Sequence, residues 1–415
     1  MTLEKYSLGI GDRFGMEGVA QLRALQAAKQ QGVLVVPVWN KSNREHSIIG
    51  TKPQDTLRAA TAAVAAASWT DPFYLDADHI GLATLDNFVG ACNFFTIDVA
   101  DMIGRPSTPE DADGFLKAMT GFKGTLRIPG MGAPIVVDDE LLRSVAGKYL
   151  RAVKEAGQIY RRITSLMHEK TFVAEMSLDE ADLPQTPAEL FFILAAVARE
   201  GIPLQTIAPK FTGDFLKGID YVGDIGAFER DFRDDLAVVH HAIGLFGLPA
   251  NLKLSVHTGS DKFSLYPLMR KALLENGAGL HLKTAGTTWL EEVIGIAGTG
   301  GEALGFVQEL YGLALARYDE LLKPYATVVR IDRSKLPSPA EVKRWTAEEF
   351  VGSLRHDRSA PRYSTDLRQF LHVSFRLAAE AGDRYTDMLH ACRGTIERNV
   401  TMNLLDRHIK PLFIG

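Results

Sequence analysis

The chain has 415 residues, 46% of them hydrophobic and 23% charged, which excludes a disordered or fibrous protein. Its net charge of −5 offers no broad basic face of the kind nucleic-acid binding demands. Two cysteines, Cys92 and Cys392, cannot build a disulfide framework and point to a reducing compartment. The start, MTLEKYSLGIGDRFG, lacks a basic segment followed by an apolar one, so no secretory signal is read there. The most apolar run, Leu190–Ala198, falls short of the roughly 18 residues a membrane span needs. These features predict a soluble, cytoplasmic protein.

Short apolar or β-branched runs alternate with longer helical patterns almost from end to end. The first strand is predicted over Tyr6–Ile10, with a helix over Met16–Gln31. The second strand covers Val33–Val38, with an Ala-rich helix over Asp55–Ser68. The third covers Phe73–Leu75, with a helix over Ala83–Ala91, and the fourth covers Phe94–Val99. An insertion over about 104–168 follows. It holds a helix from Pro109, a β-ribbon across Gly124–Val137 and a long helix from Asp139 to about His168. The fifth strand is Phe172–Met176. Its helix carries a start signal, with Thr186 as cap, Pro187 in the first turn and Glu189 completing a capping box. The sixth strand, Leu204–Ala208, precedes a helix over Glu229–Leu245, and the seventh, Leu252–His257, one over Lys262–Glu275. The eighth is Gly279–Lys283, and helices run on to about Tyr325.

Eight strand–helix units predict a (β/α)₈ barrel, an α/β fold of the TIM type. An open doubly wound sheet is the competitor, but no Gly-rich phosphate turn follows the first strand. The expected organisation is a catalytic barrel over 1–330, containing the α/β insertion after strand four, and a helical C-terminal extension over 331–415. The capping pattern Ser338–Pro339–Ala340–Glu341 opens that extension.

A barrel gathers its catalytic groups at the C-terminal ends of its strands, and polar residues collect there. Asp12 and Arg13 follow strand one and Asn40 follows strand two. Asp76, Asp78 and His79 follow strand three; Asp98 and Asp101 end strand four. Glu175 lies on strand five, Lys210 follows strand six, His257 ends strand seven, and His281 and Lys283 lie on strand eight. Side-chain alternation sharpens the pattern. Leu254 and Val256 face the helices and Lys253, Ser255 and His257 face the axis. Leu280 and Leu282 face out, His281 and Lys283 in; Ala174 and Met176 face out, Val173 and Glu175 in.

Of eleven histidines only His79, His257 and His281 lie in or just after barrel strands. Any one alone reads as a hydrogen-bonded structural residue. Together with Glu175 they form a first shell for a divalent transition metal such as Zn, Mn, Ni or Co. Asp78, Glu175 and one of Asp98 or Asp101 are candidates for acid/base work. Asp76 reads as a buried partner that orients a histidine or a lysine. Asp179, Glu180 and Asp182 read as solvated loop or capping groups. Arg13, Asn40, Lys210 and Lys283 are candidates for binding substrate, with Lys262 a further cation at the mouth. Lys210 and Lys283 also fit amine nucleophiles or internal salt bridges to the aspartates. The cysteines are assigned to core packing, and the helical pair His240–His241 to no chemistry.

The segments PVWNKSNREHSIIGTKP, YLDADHIGL, FFTIDVAD, EMSLDEADLPQTPAELFFI, TIAPKFTGDFLKGIDYVGD, LSVHTGSDKFSLYP and GLHLKTAGTTWLEE together resemble the tagaturonate epimerase family, from Tyr6 to about Trp289. The resemblance implies interconversion of tagaturonate and fructuronate in hexuronate catabolism, with a divalent metal. Relatives acting on neutral ketohexoses such as tagatose would look similar.

That reaction inverts a carbon two positions from the ketone, whose hydrogen enolisation does not acidify. A retro-aldol cleavage followed by re-addition to the other aldehyde face accomplishes it. It needs a Lewis acid for the enediolate and a group to take and return the hydroxyl proton. The expected site has Asp78 and Glu175 as acid/base groups, His79, His257 and His281 on the metal, and Arg13, Asn40, Lys210 and Lys283 on substrate. Glu175 as a fourth ligand is left open. The alternatives are a ketohexose 4-epimerase, a metal-dependent aldolase that releases three-carbon products, a Schiff-base variant on Lys210 or Lys283, and a non-catalytic sugar-binding protein. The implied partners are a small-molecule sugar acid or ketose, with a homo-oligomer allowed, and neither nucleic acid nor membrane.

Overall fold

The structure is a computed structural model and describes residues 1–168, 170–284 and 286–415. Eight parallel strands close into a barrel. In chain order β1 (Tyr6–Ile10) leads to α1 (Gly18–Gln30), and β2 (Val36–Ser42) to α2 (Asn43–Ile49) and α3 (Pro53–Ala66). After β3 (Tyr74–Ile80) comes β4 (Phe94–Asp98). The insertion supplies α4 (Pro109–Met119), an antiparallel ribbon of β5 (Gly124–Leu126) and β6 (Ile135–Val137), and the 29-residue α5 (Asp139–Met167). Because β7 (Val173–Ser177) pairs directly with β4, α5 is also the crossover helix between them.

The chain continues through α6 (Pro187–Arg199), β8 (Thr206–Ala208), α7 (Ile225–Phe246), β9 (Lys253–His257), α8 (Tyr266–Asn276) and β10 (Leu280–Lys283). It goes on through α9 (Thr287–Thr299), α10 (Gly301–Ala316) and α11 (Tyr318–Leu322). The remainder forms α12 (Pro339–Val342), α13 (Ala347–Leu354), α14 (Thr365–Val373), α15 (Phe375–Ala381), α16 (Asp383–Ala391), α17 (Arg393–Met402) and a π-helical turn over Asn403–Ile414. Among the described residues no helix is long and apolar enough to cross a membrane. Both cysteines are buried and free.

Three expected elements differ. Strand two begins at Val36 rather than Val33 and runs to Ser42; strand three runs through Asp78 to Ile80 rather than stopping at Leu75. Hydrophobicity marks strands by their apolar faces. Here the inward face of each strand is polar at its C-terminal half, so the apolar signal stops early. The expected helix over Ala83–Ala91 is a single 3₁₀ turn, Leu85–Asn87, because too little chain separates β3 from β4. The capping box of α2, in which Ser42 accepts from the Glu45 amide, lay unread in what was expected to be a loop.

The strands divide two cores. Leu8, Ile10, Leu75, Ala77, Ile97, Met176, Ile207, Leu254, Val256, Leu280 and Leu282 face the helices in one continuous cluster. A second, small cluster of Leu3, Val36, Val38, Tyr74, Phe94 and Val173 plugs the barrel at its N-terminal end. Above that plug the interior turns polar, with Asn40, Asp76, Thr96, Glu175, Ser255, His281 and Lys283 all buried.

The C-terminal helices pack on the barrel helices, α17 against α9 and α1, α13 against α9, and the π-helical turn against α1 and α8. Polar contacts lock them down. Asp261, just past β9, is fully buried. It accepts from Arg368 Nη2 on α14 at 2.5 Å and from Thr287 at 3.0 Å, and it pairs with His356 Nδ1 at 3.0 Å. Arg368 is the strongest cation on this carboxylate, which burial alone would protonate and which the arginine and His356 hold well below its usual range. Removing one partner of such a pair costs about 3–5 kcal/mol. Arg368→Met is therefore expected to lower the urea unfolding free energy by about that amount, and a loss below about 1 kcal/mol would show the pair to be dispensable.

Candidate active site

One lysine organises the barrel axis. Lys283, at the end of β10, places its ammonium 2.9 Å from Asp76, 2.9 Å from Asp78 and 3.2 Å from Glu175, and donates to Thr96 Oγ1 at 2.8 Å. These four partners come from β3, β4 and β7, across the barrel from β10. Gly9 lies beside Lys283 in register, and a Cβ there would come 2.8 Å from the lysine stem, so glycine makes room for it. Burial opposes the ammonium charge, but the three carboxylates overcome it and hold the Lys283 pKa well above its usual value. Among the carboxylates, burial lifts Asp76 to about 6 against the pull of Lys283. Lys283, His257 and their hydrogen bonds outweigh burial at Glu175 and hold it well below its usual value. Of the three roles expected for Lys283, substrate cation, amine nucleophile and internal salt bridge, the structure shows the salt bridge.

Above this group lie two imidazoles. Alternation along β3 sends Asp76 and Asp78 inward and would send His79 out toward the helices. A β-bulge between Ala77 and Ile80 inserts one residue, and His79 adopts a left-handed φ of 51°. Bulges beside active sites re-aim side chains in this way. His79 thus turns to the mouth, where its ring lies 5.4 Å from that of His257. Its Nδ1 sits 3.0 Å from Asp98 Oδ2. His257 Nε2 sits 2.8 Å from Glu175 Oε1, and its Nδ1 lies 3.1 Å from Asp179 Oδ2, close enough for an ion pair but misaligned for a hydrogen bond. Asp179 is steadied by the Ser177 hydroxyl. Burial opposes the charge of both histidines, yet the surrounding carboxylates win. Asp78, Asp179 and Asp98 push His79 up to about 10, and Asp179 with Glu175 raises His257.

Asp179 is the residue that the sequence reading missed: expected as a solvated loop group, it stands within ligand distance of both imidazoles. One donor atom from each of His79, Asp179 and His257 falls within a 4.8 Å cluster, and His79, Asp98 and Glu180 form a second, more exposed one. No spacing motif marks Asp179; only its place just beyond β7 carried a signal.

The other expected residues fall elsewhere. His281 is fully buried one layer deeper, hydrogen-bonded through Nδ1 to Ser7 Oγ at 2.9 Å and packed on Phe94, and burial pushes it down to about 3. It stands outside both ligand clusters. Asn40 lies inside β2 opposite Asp76, with both side-chain amide atoms buried and unpartnered among the described residues. Lys210 is half-buried at the end of β8, its backbone tied to Gln185, and its ammonium has no ion pair among the described residues. Arg13 pairs through Nε with Glu45 at 3.0 Å and stacks on Phe375. Lys262 is no mouth cation: its ammonium is buried against the carbonyls of Leu216 and Ile219. Asp101 is exposed on a 3₁₀ turn beyond β4.

A profile of the tagaturonate epimerase family matches residues 1–409. A tagaturonate/fructuronate epimerase of Thermotoga maritima is 30% identical over 384 residues, covering 89% of this chain and 72% of its own. Among solved structures, a fructuronate–tagaturonate epimerase of Cohnella laeviribosi with one glycerol aligns at TM-score 0.81 and 23% identity. The alignment covers 99% of this chain and 82% of that one. The native form of the same protein aligns at TM-score 0.80. At that identity the solved structures bear on the fold alone, and they agree with the barrel.

Replacing Lys283 by Met strips three buried carboxylates of their cation. Their pKa values then rise, and the folded state binds protons that the unfolded chain does not. Stability of the variant is therefore expected to fall as pH rises from 5 to 8. Chemical denaturation should show a deficit against wild type of about 3–5 kcal/mol at pH 8 that shrinks at pH 5. A deficit independent of pH would mean that the lysine acts through packing.

Proposed function

The chain belongs to the tagaturonate epimerase family and is an isomerase, and from that premise we propose that it interconverts tagaturonate and fructuronate by retro-aldol cleavage and re-addition. The observation that carries this reading is the pair of imidazoles at the barrel mouth, each held on one ring nitrogen by a carboxylate, with a second carboxylate, Asp78 or Asp179, standing within 4 Å of the other nitrogen. Asp98 orients His79 and Glu175 orients His257, the arrangement by which proteins fix the tautomer of metal-binding histidines. The buried Nδ1 of His257, without a hydrogen bond among the described residues and 3.1 Å from Asp179 Oδ2, fits a ligand position, and two nitrogens with one carboxylate oxygen suit a divalent transition metal. His79, His257 and Asp179 are the residues that would hold it. A divalent cation bound there supplies Lewis acidity toward the ketone oxygen and the hydroxyl beside it.

The chain's own groups do the rest. Asp78, at the opening of the lysine cluster, takes the proton from the hydroxyl of the carbon to be inverted, with Glu175 the second candidate behind it. As that oxygen becomes an aldehyde, the bond to the neighbouring carbon breaks and its electron pair moves into the ketone as an enediolate. The aldehyde turns, the bond re-forms on its other face, and the same carboxylate returns the proton. Lys283 holds Asp78 ionised between turnovers, and Asn40 offers an unpartnered amide to a substrate hydroxyl.

Incubation with tagaturonate, fructuronate, tagatose and fructose in D₂O, followed by NMR, tests the reading. The expected result is a six-carbon epimer from the hexuronates with no deuterium at the inverted carbon, and Asp78→Asn or Glu175→Gln should slow it about 10²-fold or more. Net three-carbon products would make the protein an aldolase, and deuterium at that carbon would exclude the retro-aldol route.

Metal content separates the ligands. His257→Ala and Asp179→Asn are expected to lose most bound metal by elemental analysis, while His281→Ala, a layer below, keeps it. Full metal in the first two variants would remove them from the ligand set.

A further inference from the structure

The mouth holds a second group of polar side chains that the proposed chemistry does not use. It is assembled from loops on the arc of the barrel from β1 through β10 and β9 to β8, and it is completed by the C-terminal helices. His372, on α14, is buried to 3% exposure, and its Nε2 has no hydrogen-bond partner among the described residues. The imidazole is wedged among the strand-end loops. A Cβ at Gly286, just past β10, would collide with its Nε2, and one at Gly218 would lie 3.2 Å from its Cβ. Only glycine at 286 admits the ring. Gly218 is itself clamped, donating to Ser260 Oγ at 2.8 Å and accepting from Arg368 Nε.

Two cations lie near this imidazole. The Lys217 ammonium packs against Gly259, two residues past His257, and has no ion pair among the described residues. Arg13, beyond β1, pairs with Glu45 through Nε but keeps a buried Nη1 without a partner among the described residues, and it stacks on Phe375 at 4.2 Å, three residues after His372. Buried donors left without partners are rare in folded proteins and mark places that a ligand, an ion or water completes. His372 Nε2 and Arg13 Nη1 are two such groups, and with the half-buried, unpaired ammonium of Lys217 beside them they specify an anion. Burial and then the neighbouring cations, Arg13 and Lys217 first among them, hold His372 neutral, and in its Nε2–H tautomer the imidazole donates a hydrogen bond from Nε2.

We propose that Lys217, His372 and Arg13 form the pocket for the substrate carboxylate, so that the C-terminal helices supply part of the specificity for a hexuronate over a neutral ketose. This rests on the epimerase reading and extends it. The histidine–carboxylate cluster draws on β3, β4, β7 and β9, and the anion pocket on β1, β8, β9 and β10. The two meet at the end of β9, where His257 and Gly259 stand two residues apart. A six-carbon acid then lies with its ketone end toward His257 and its carboxylate toward Lys217. The aldehyde fragment of the cleaved substrate carries that carboxylate. Holding it keeps the fragment in the site while its carbonyl turns.

Two measurements test this. Calorimetry on the purified holoprotein with glycerate, the three-carbon hydroxy acid, and with glycerol is expected to show glycerate binding that weakens about tenfold or more in Lys217→Ala and His372→Phe, and that Lys217→Arg restores. In kinetics the same two substitutions should lower kcat/KM for the hexuronate relative to a neutral ketohexose, chiefly through KM. Equal binding of glycerate and glycerol by wild type would overturn the pocket, as would a loss caused by Lys210→Ala and not by Lys217→Ala. Hexuronate turnover with unchanged KM in both variants would overturn the pocket and leave the epimerase reading standing. Glycerate binding that depends on Lys217 in a protein without hexuronate turnover would uphold the pocket and remove that reading.

Discussion

A charge on the axis of a barrel has no water to solvate it, and an isolated one is prohibitively costly. Lys283 meets this constraint by drawing Asp76, Asp78 and Glu175 around a single ammonium. Three carboxylates against one lysine leave the group short of positive charge, and it opens toward the two histidines above it. The apolar plug of Val36, Val38, Tyr74, Phe94 and Val173 below excludes solvent from that end. Everything polar in the barrel is thereby pushed toward one mouth. The chemistry sits there because the cluster can be relieved of its excess charge only from that side.

The cluster also fixes directions. Glu175 touches both Lys283 and His257, so the lysine, the carboxylate and the imidazole form one connected network from the axis to the mouth. A substitution at any member redistributes charge over all of them, and its effects will not add. His79 reaches the same space by a different device, a left-handed bulge residue on β3. A backbone in that region costs of order 1–3 kcal/mol and persists only where its surroundings over-determine it. Its bond to Asp98 and the pull of Asp78 and Asp179 supply that determination.

The C-terminal helices fasten themselves to the barrel through buried polar contacts as well as apolar ones. Asp261 with Arg368, Trp289 Nε1 donating to Leu371 O, and the Tyr385 hydroxyl donating to Glu292 all join α14 or α16 to the strand-end loops or to α9. Buried polar contacts of this kind demand one geometry, whereas apolar packing tolerates sliding. That precision is what a side chain on an added helix needs if it is to stand over a site built on other elements, as His372 does.

The amino-acid sequence by itself determined the barrel, the inward or outward sense of its strands and the start of α6 at Thr186, because these follow from local periods of two and 3.6 and from capping chemistry within a few residues. It placed Glu175, Lys283 and His257 on inward faces for the same reason, and Asp78 just past the end of the third strand. Tertiary structure decided the rest. Alternation counts residues but not bulges, so the direction of His79 came only from the extra residue in β3. Parity also cannot measure depth along the axis, and His281, inward like Lys283, therefore fell a layer below the cluster. Asp179 lies beyond the last strand residue, where no period operates, and the fold of the β7–α6 loop alone brought it to His257. Whether Lys283 bound substrate or carboxylates turned on strands far away in sequence, since an ion pair is settled by which charges closure of the barrel brings within reach.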